Sequence, residues 1–175
     1  MRARWAPRSV LALSIGVAVA ALAVSFAAGG GSGTSSASEQ ELQRRADLWE
    51  IDLLEKNFHK ATSRKDIGLM MSLWAQNATL TGGGNSAVGR EQIRRFWLTK
   101  SENFKPDNTW VSETIPYKVR ITVNGDRGTL YFECHYVDAK THEVVRSTGA
   151  DQDVARINGR WLITNMVGAA PTLNP

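Results

Sequence analysis

The chain has 175 residues, 42% hydrophobic and 22% charged, which suits one domain with one core and excludes a disordered or fibrous polymer. Its net charge of +4 is not a nucleic-acid signature: Arg2, Arg4 and Arg8 precede an apolar run, and taking those three from 21 basic residues leaves 18 against 17 acidic. Without a basic stripe on the folded part no nucleic-acid partner is expected, and one cysteine, Cys134, excludes an intramolecular disulfide.

Residues 1–9 are a basic segment, and residues 10–28 (VLALSIGVAVAALAVSFAA) carry no charge. That length suits a transmembrane anchor, whereas the small-x-small pattern Ser25-Phe26-Ala27 suits a cleaved signal peptide; both readings stand. Arginines on the N-terminal flank predict that end in the cytoplasm and the domain outside, on the cytoplasmic membrane if anchored and secreted if cleaved. Residues 29–38 are rich in Gly and Ser and read as a flexible tether.

The domain is expected over residues 39–170, with 171–175 as a tail. Ser38-Glu39-Gln40-Glu41 has the form of a capping box, so a long helix is expected from Glu39 to Ser63. It carries two apolar stripes, Leu42, Ala46, Trp49 and Leu53 on one and Ile51, Leu54, Phe58 and Ala61 on the other, which predicts contacts on two sides. The polar remainder, Arg44, Arg45, Glu50, Glu55, Lys56 and Lys60, reads as a solvated face. Asp66 is a plausible N-cap for a short helix that carries Ile67, Met70, Met71 and Trp74 and runs to about Ala75. A strand at Ala78 to Thr81 follows, then a loop from Gly82 to Ser86, then a second amphipathic helix opened by Gly89-Arg90-Glu91 on Ile93, Phe96 and Trp97.

Ser101 to Thr109 reads as a loop, and the rest alternates with a period of two. Tyr117, Val119, Ile121 and Val123 share a face; after a turn at residues 124–128, Leu130, Phe132, Cys134 and Tyr136 share the next, with Glu133 and His135 opposite and expected on the outer surface. Asp138 to Glu143 turns, Val144 to Arg156 is a strand with a bend expected at Gly149, Asn158-Gly159 is a hairpin turn, and Arg160 to Val167 closes the sheet. Cys134 reads as a small buried hydrophobe.

The order of a helix ending in Trp74, strand, glycine loop and Gly89-Arg90-Glu91-x-Ile93-x-x-Phe96-Trp97 resembles the SnoaL-like branch of the nuclear transport factor 2-like superfamily, over roughly Glu50 to Gly168. The resemblance implies an α+β fold: a curved antiparallel sheet wrapped around the long helix, two shorter helices, and a cone-shaped cavity. It also implies a possible homodimer through the sheet. If the apolar strand faces look inward, Phe58, Trp74, Trp97, Tyr117, Val119, Phe132, Tyr136, Trp161 and Ile163 line the cavity, which would suit a small apolar molecule. Asn165 is expected to share the inward face of Trp161 and Ile163, and Asp151 and Asp153 are the carboxylates that could act as base and acid beside it.

His59, His135 and His142 fall in no metal-ligand spacing, so neither a metal nor another cofactor is expected. Gly82 to Gly84 lack the Lys-Ser/Thr of a phosphate loop and suggest a rim at the cavity mouth. In ketosteroid isomerase relatives a Tyr on the first helix and an Asp after the first strand carry the chemistry; matching places Phe58, and Thr81 or Gly82, at those positions. The leading expectation is therefore a membrane-tethered domain that binds a small apolar ligand or a partner protein without catalysis. The alternative is a cyclase-, isomerase- or hydrolase-like enzyme using general acid-base catalysis.

Overall fold

A computed structural model describes residues 32–115 and 118–172. The apolar run at 10–28, the basic segment before it and Tyr117 lie outside the described residues. Among the described residues no helix is long and apolar enough to cross a membrane.

Helix α1 spans Ser32–Arg64, longer at its start than the Ser38 cap suggested. The Thr34 to Ala37 stretch holds no proline to stop a helix, so most of the expected tether is helical. Its inner stripe is deeply buried at Ile51, Leu54, Phe58 and Ala61. Glu55, expected on the solvated face, is buried as well, because it continues the Ile51 stripe one turn on.

Helix α2, Ile67–Ser72, is capped by Asp66, whose carboxylate accepts from the Leu69 N–H at 2.8 Å. It stops before Trp74, which opens strand β1, Trp74–Gly82. The sheet takes the chain here: the Ile163 N–H donates to the Leu73 carbonyl and Trp74 pairs with Ile163, so the expected last helical turn is extended. The glycine run is not a loop but a two-residue hairpin turn. Gly82 pairs with Asn85 across Gly83 and Gly84, which hold φ of 57° and 75°, and β2 follows as Asn85–Val88. Helix α3, Arg90–Thr99, starts at Gly89 as expected, and a 3-10 turn covers Glu102–Phe104.

The remaining strands are β3 (Trp110–Glu113), β4 (Val119–Asn124), β5 (Arg127–Asp138), β6 (Val144–Ile157) and β7 (Arg160–Ala169). The sheet order is β2-β1-β7-β6-β5-β3, and β4 pairs with the first half of β5 while β3 takes the second half. All pairs are antiparallel except β1 with β7. Leu130, Phe132, Cys134 and Tyr136 join Ile51, Phe58 and Trp97 in one core. Gly128 is required where β4, β6 and α1 converge: a Cβ there would sit 2.5 Å from the Thr122 carbonyl oxygen and 3.4 Å from Ile51 Cδ1.

The pairing shows no irregularity at Gly149, where a bend was expected. The register shifts lie elsewhere, between Tyr136 and Val137 and between Asp153 and Val154. Gly149 instead makes room for the Tyr131 hydroxyl, 3.2 Å from where its Cβ would stand.

Gly128→Ala is expected to destabilise the domain by about 1–3 kcal/mol, because the neighbour is backbone and cannot rotate away. Urea unfolding at unchanged m-value checks this; a midpoint equal to the parent would contradict the packing described.

Candidate ligand-binding cavity

Between α1, α3 and the inner face of the sheet lies a cavity of about 160 Å3. Its wall is aromatic and aliphatic: Phe58 from α1, Phe96 and Trp97 from α3, Leu80 from β1, Phe132 from β5 and Met166 from β7. Phe58 sets the arrangement, its ring lying 5.6 Å from Trp97 and 5.5 Å from Phe132 in edge-on and tilted contacts. Its lining also includes Gly82, Gly83 and Asn85 of the β1–β2 hairpin and the polar residues Lys100, Ser101 and Arg146. Of the glycines expected to form a rim, Gly82 and Gly83 line the cavity as part of a tight turn.

Of the residues expected to line the cavity, Phe58, Trp97, Phe132 and Tyr136 do so. Trp74, Trp161 and Ile163 are buried in the core but contribute no wall to this cavity. The Trp161 indole N–H points to the Asp47 carboxylate at 3.5 Å, and the Arg156 guanidinium lies over its ring at 5.2 Å while also pairing with Asp47. Val119 faces a separate recess beside Glu55 and His59.

The three polar candidates lie outside the cavity. Asp153 pairs with Asn165 but Val154 pairs with Ile163, so Thr164 is one extra residue in β7. That bulge shifts the alternation by one. Trp161 and Ile163 point inward, Met166 continues the inner face, and Asn165 turns outward. There its amide donates to Asp153 at 3.1 Å and its carbonyl accepts from the Thr79 hydroxyl at 2.7 Å. Asp151 and Asp153 are exposed on the outer face, whereas the inner residues of β6 are Ala150, Gln152 and Val154. Asp153 borders an open surface groove of about 740 Å3 at the β4–β5 end of the sheet, larger than the cavity but without its aromatic wall. Neither aspartate has the desolvated, inward position that acid-base work in the cavity requires.

Glu133 is on the outer face, as its alternation with Phe132 dictates, but it is 1% exposed rather than solvated. Lys118 from the start of β4 stands 3.5 Å from its carboxylate, the Tyr131 hydroxyl donates to it at 2.6 Å, and the Thr172 N–H donates to it from the C-terminal segment. Arg120 covers the Tyr131 ring at 4.6 Å. The outer face is thus roofed here by β4 side chains and the chain end, and Glu133 and His135 do not meet in the cavity.

Two residues of the cavity wall, Asn103 and Trp97, carry buried polar atoms that periodicity did not anticipate. Asn103, 8% exposed in the 3-10 turn, has a buried Oδ1, and Trp97 a buried indole N–H, neither with a hydrogen-bond partner among the described residues. Each such atom costs about 1–3 kcal/mol when left unsatisfied. Burial pushes the Tyr136 hydroxyl far above its ordinary pKa, with Cys134 adding to the effect and Asn103 and Arg146 opposing it, so Tyr136 stays neutral. The signal for Asn103 was absent from periodicity because it sits in an irregular turn.

A second buried cluster lies behind Phe58 and Phe132. His59 Nδ1 bonds Ser112 Oγ at 2.5 Å and Nε2 bonds Thr114 Oγ1 at 2.8 Å, with Glu55 Oε1 2.9 Å from Nε2 but misaligned for a hydrogen bond. The spacing of four with Ile51 and Phe58 on the same side could have revealed both as buried. Among the described residues no three His, Cys, Asp or Glu side chains converge as a metal site.

Residues 56–162 match the family described as SnoaL-like domain. No curated protein matches the chain. Similar solved structures include an NTF2-like protein with a cystatin-like fold from Novosphingobium aromaticivorans, 17% identical, TM-score 0.65, covering 80% of this chain and 90% of that one. A protein of unknown function with a cystatin-like fold from Nostoc punctiforme is 20% identical, TM-score 0.62, with coverage of 73% and 94%. A candidate ketosteroid isomerase from Shewanella frigidimarina is 17% identical, TM-score 0.55, with coverage of 66% and 91%. At these identities the likeness shows the fold alone.

Burial raises the Cys134 thiol from 9.0 to about 11. The folded thiol holds its proton more tightly than the unfolded one, so its stabilising contribution is complete below about pH 9 and is lost as pH rises towards 11. Thiol titration at pH 8 should find Cys134 unreactive until denaturant is added, and prompt labelling of the folded chain would contradict the burial described.

Proposed function

The chain belongs to the SnoaL-like domain family, and from that premise we propose that its cavity binds a small, mostly apolar molecule carrying one polar group, without catalysing its conversion. The observation that carries the reading is an aromatic sleeve, Phe58, Trp97 and Phe132, whose wall also holds two buried polar atoms without partners among the described residues, Asn103 Oδ1 and Trp97 Nε1. A ligand hydroxyl can partner either atom where the wall side chains yield to it, donating to the amide oxygen or accepting from the indole. About 160 Å3 admits roughly a single substituted ring. Arg146 and Lys100 in the lining favour ligands with electron-rich or anionic substituents.

Catalysis by Asp151, Asp153 and Asn165 is disfavoured by their outward position. The second reading, a general acid-base enzyme of the kind suggested by the Shewanella frigidimarina neighbour's description, is favoured by one observation: Glu55 and His59 are a buried titratable pair beside their own recess of about 230 Å3. Both His59 nitrogens are already bonded to hydroxyls, which favours a structural role. A tether to the cytoplasmic membrane with the domain outside is also proposed, on the apolar run at 10–28 alone. Protease added to intact cells should then degrade the domain, and full protection would reject that placement.

Phenol, benzyl alcohol and benzoate are the probes. A bound probe at a hundredfold excess over its Kd should stabilise the protein by about 2.7 kcal/mol, seen as a rise in Tm. Asn103→Leu should weaken binding about tenfold, because it removes the buried carbonyl oxygen while keeping a side chain of similar size. No shift with any probe, or unchanged affinity in Asn103→Leu, would reject the site.

A further inference from the structure

We propose that the projecting half of α1 is a dimerisation helix that forms a short parallel coiled coil with a second copy of this chain. From Ser36 to Ala46 every described side chain is exposed or, at Glu41, half-buried, and Asp47 is the first buried residue, so about three turns of helix stand clear of the core. Helix of that length gains little from propensity alone and in proteins is usually held by packing. The ion pairs of Glu41 with Arg44 and Arg45 support it only locally.

The outer stripe gives that packing a form. Leu42 is 65% exposed, Trp49 64% and Leu53 40%, with Ala46 exposed between them. Their spacing of four, three and four is that of alternating d and a positions in a heptad seam, and it lies opposite the Ile51, Leu54 and Phe58 stripe that the core already uses. The seam ends at Leu53 because Lys56 and Lys60 occupy its next positions. Charge supports a second copy of the chain as the partner. With Ala46 and Leu53 at a, Arg45 falls at g and Glu50 at e, so in a parallel pair each Arg45 faces the Glu50 of the partner subunit, twice by symmetry. An antiparallel pairing would set Arg45 against Asp52 instead; Arg45 and Asp52 each already hold an exposed intrahelical partner, Glu41 at 2.9 Å and Lys56 at 2.5 Å, so the direction is read from the cross-link at position 46. The inference is independent of what the cavity binds.

The test uses the full chain with one cysteine added at a time, since the native Cys134 is buried and does not compete. A parallel seam brings the two residues at position 46 into disulfide reach, so Ala46→Cys should form a covalent dimer under mild oxidation, while Gln40→Cys, exposed on the flank away from the seam, should not. Adding Arg45→Glu should cut the Ala46→Cys dimer about fivefold through repulsion at two sites, and adding Glu50→Arg as well should restore it. Equal cross-linking at Gln40→Cys, no dimer at Ala46→Cys, or no restoration by the charge exchange overturns the proposal. So does a blue shift of Trp49 fluorescence, on anionic vesicles, that survives the charge exchange while no dimer forms; the stripe would then be a lipid-facing surface.

Discussion

Phe58 is the point on which the architecture turns. Its ring meets Trp97 of α3, Phe132 of β5 and the neighbouring His59, so one side chain ties the long helix to both the second helical layer and the sheet. The sheet must curve over this helix, and curvature is met by irregular pairing rather than by even strands: extra residues near Tyr136 and at Thr164, and a glycine, Gly128, where a Cβ would meet backbone. The cavity is what this curvature leaves uncovered on the far side of Phe58.

Charge inside the domain is arranged to be neutralised where it is buried. Asp47 is held by Arg156 and Trp161, Glu133 by Lys118, Tyr131 and the Thr172 backbone, and Glu55 lies against His59. Removing one member of such a group would leave the other buried without compensation, a far larger loss than the group's net gain. The cavity differs in kind. The Trp97 indole N–H and the Asn103 Oδ1 in its wall have no hydrogen-bond partner among the described residues, and its buried Tyr136 hydroxyl is kept neutral by burial.

Helix α1 serves two surfaces with one periodicity. Beyond Asp47 its inner stripe belongs to the core, and its outer stripe, beginning on the projecting turns, remains in water. A tryptophan that is 64% exposed beside exposed leucines marks a surface that contact with another molecule would cover.

Most of the fold was legible from residue order. The Asp66 cap, the Gly89 helix start, the alternation of Leu130 to Tyr136 and the Asn158-Gly159 turn are local signals, and each acts locally in the structure. The two stripes on α1 were also legible, since helical spacing alone separates them. Tertiary structure decided which faces meet. One bulged residue, Thr164, turned Asn165 outward and Met166 inward, and no pattern within β7 announces it because the extra residue is defined only by its pairing with β6 and β1. Trp74 left its helix for the sheet because β7 offered it a partner, and Glu133 was buried because Lys118 and Thr172, distant in sequence, arrive over it. Periodicity fixes the side of an element to which a residue points; what waits on that side depends on strands and chain ends brought from elsewhere.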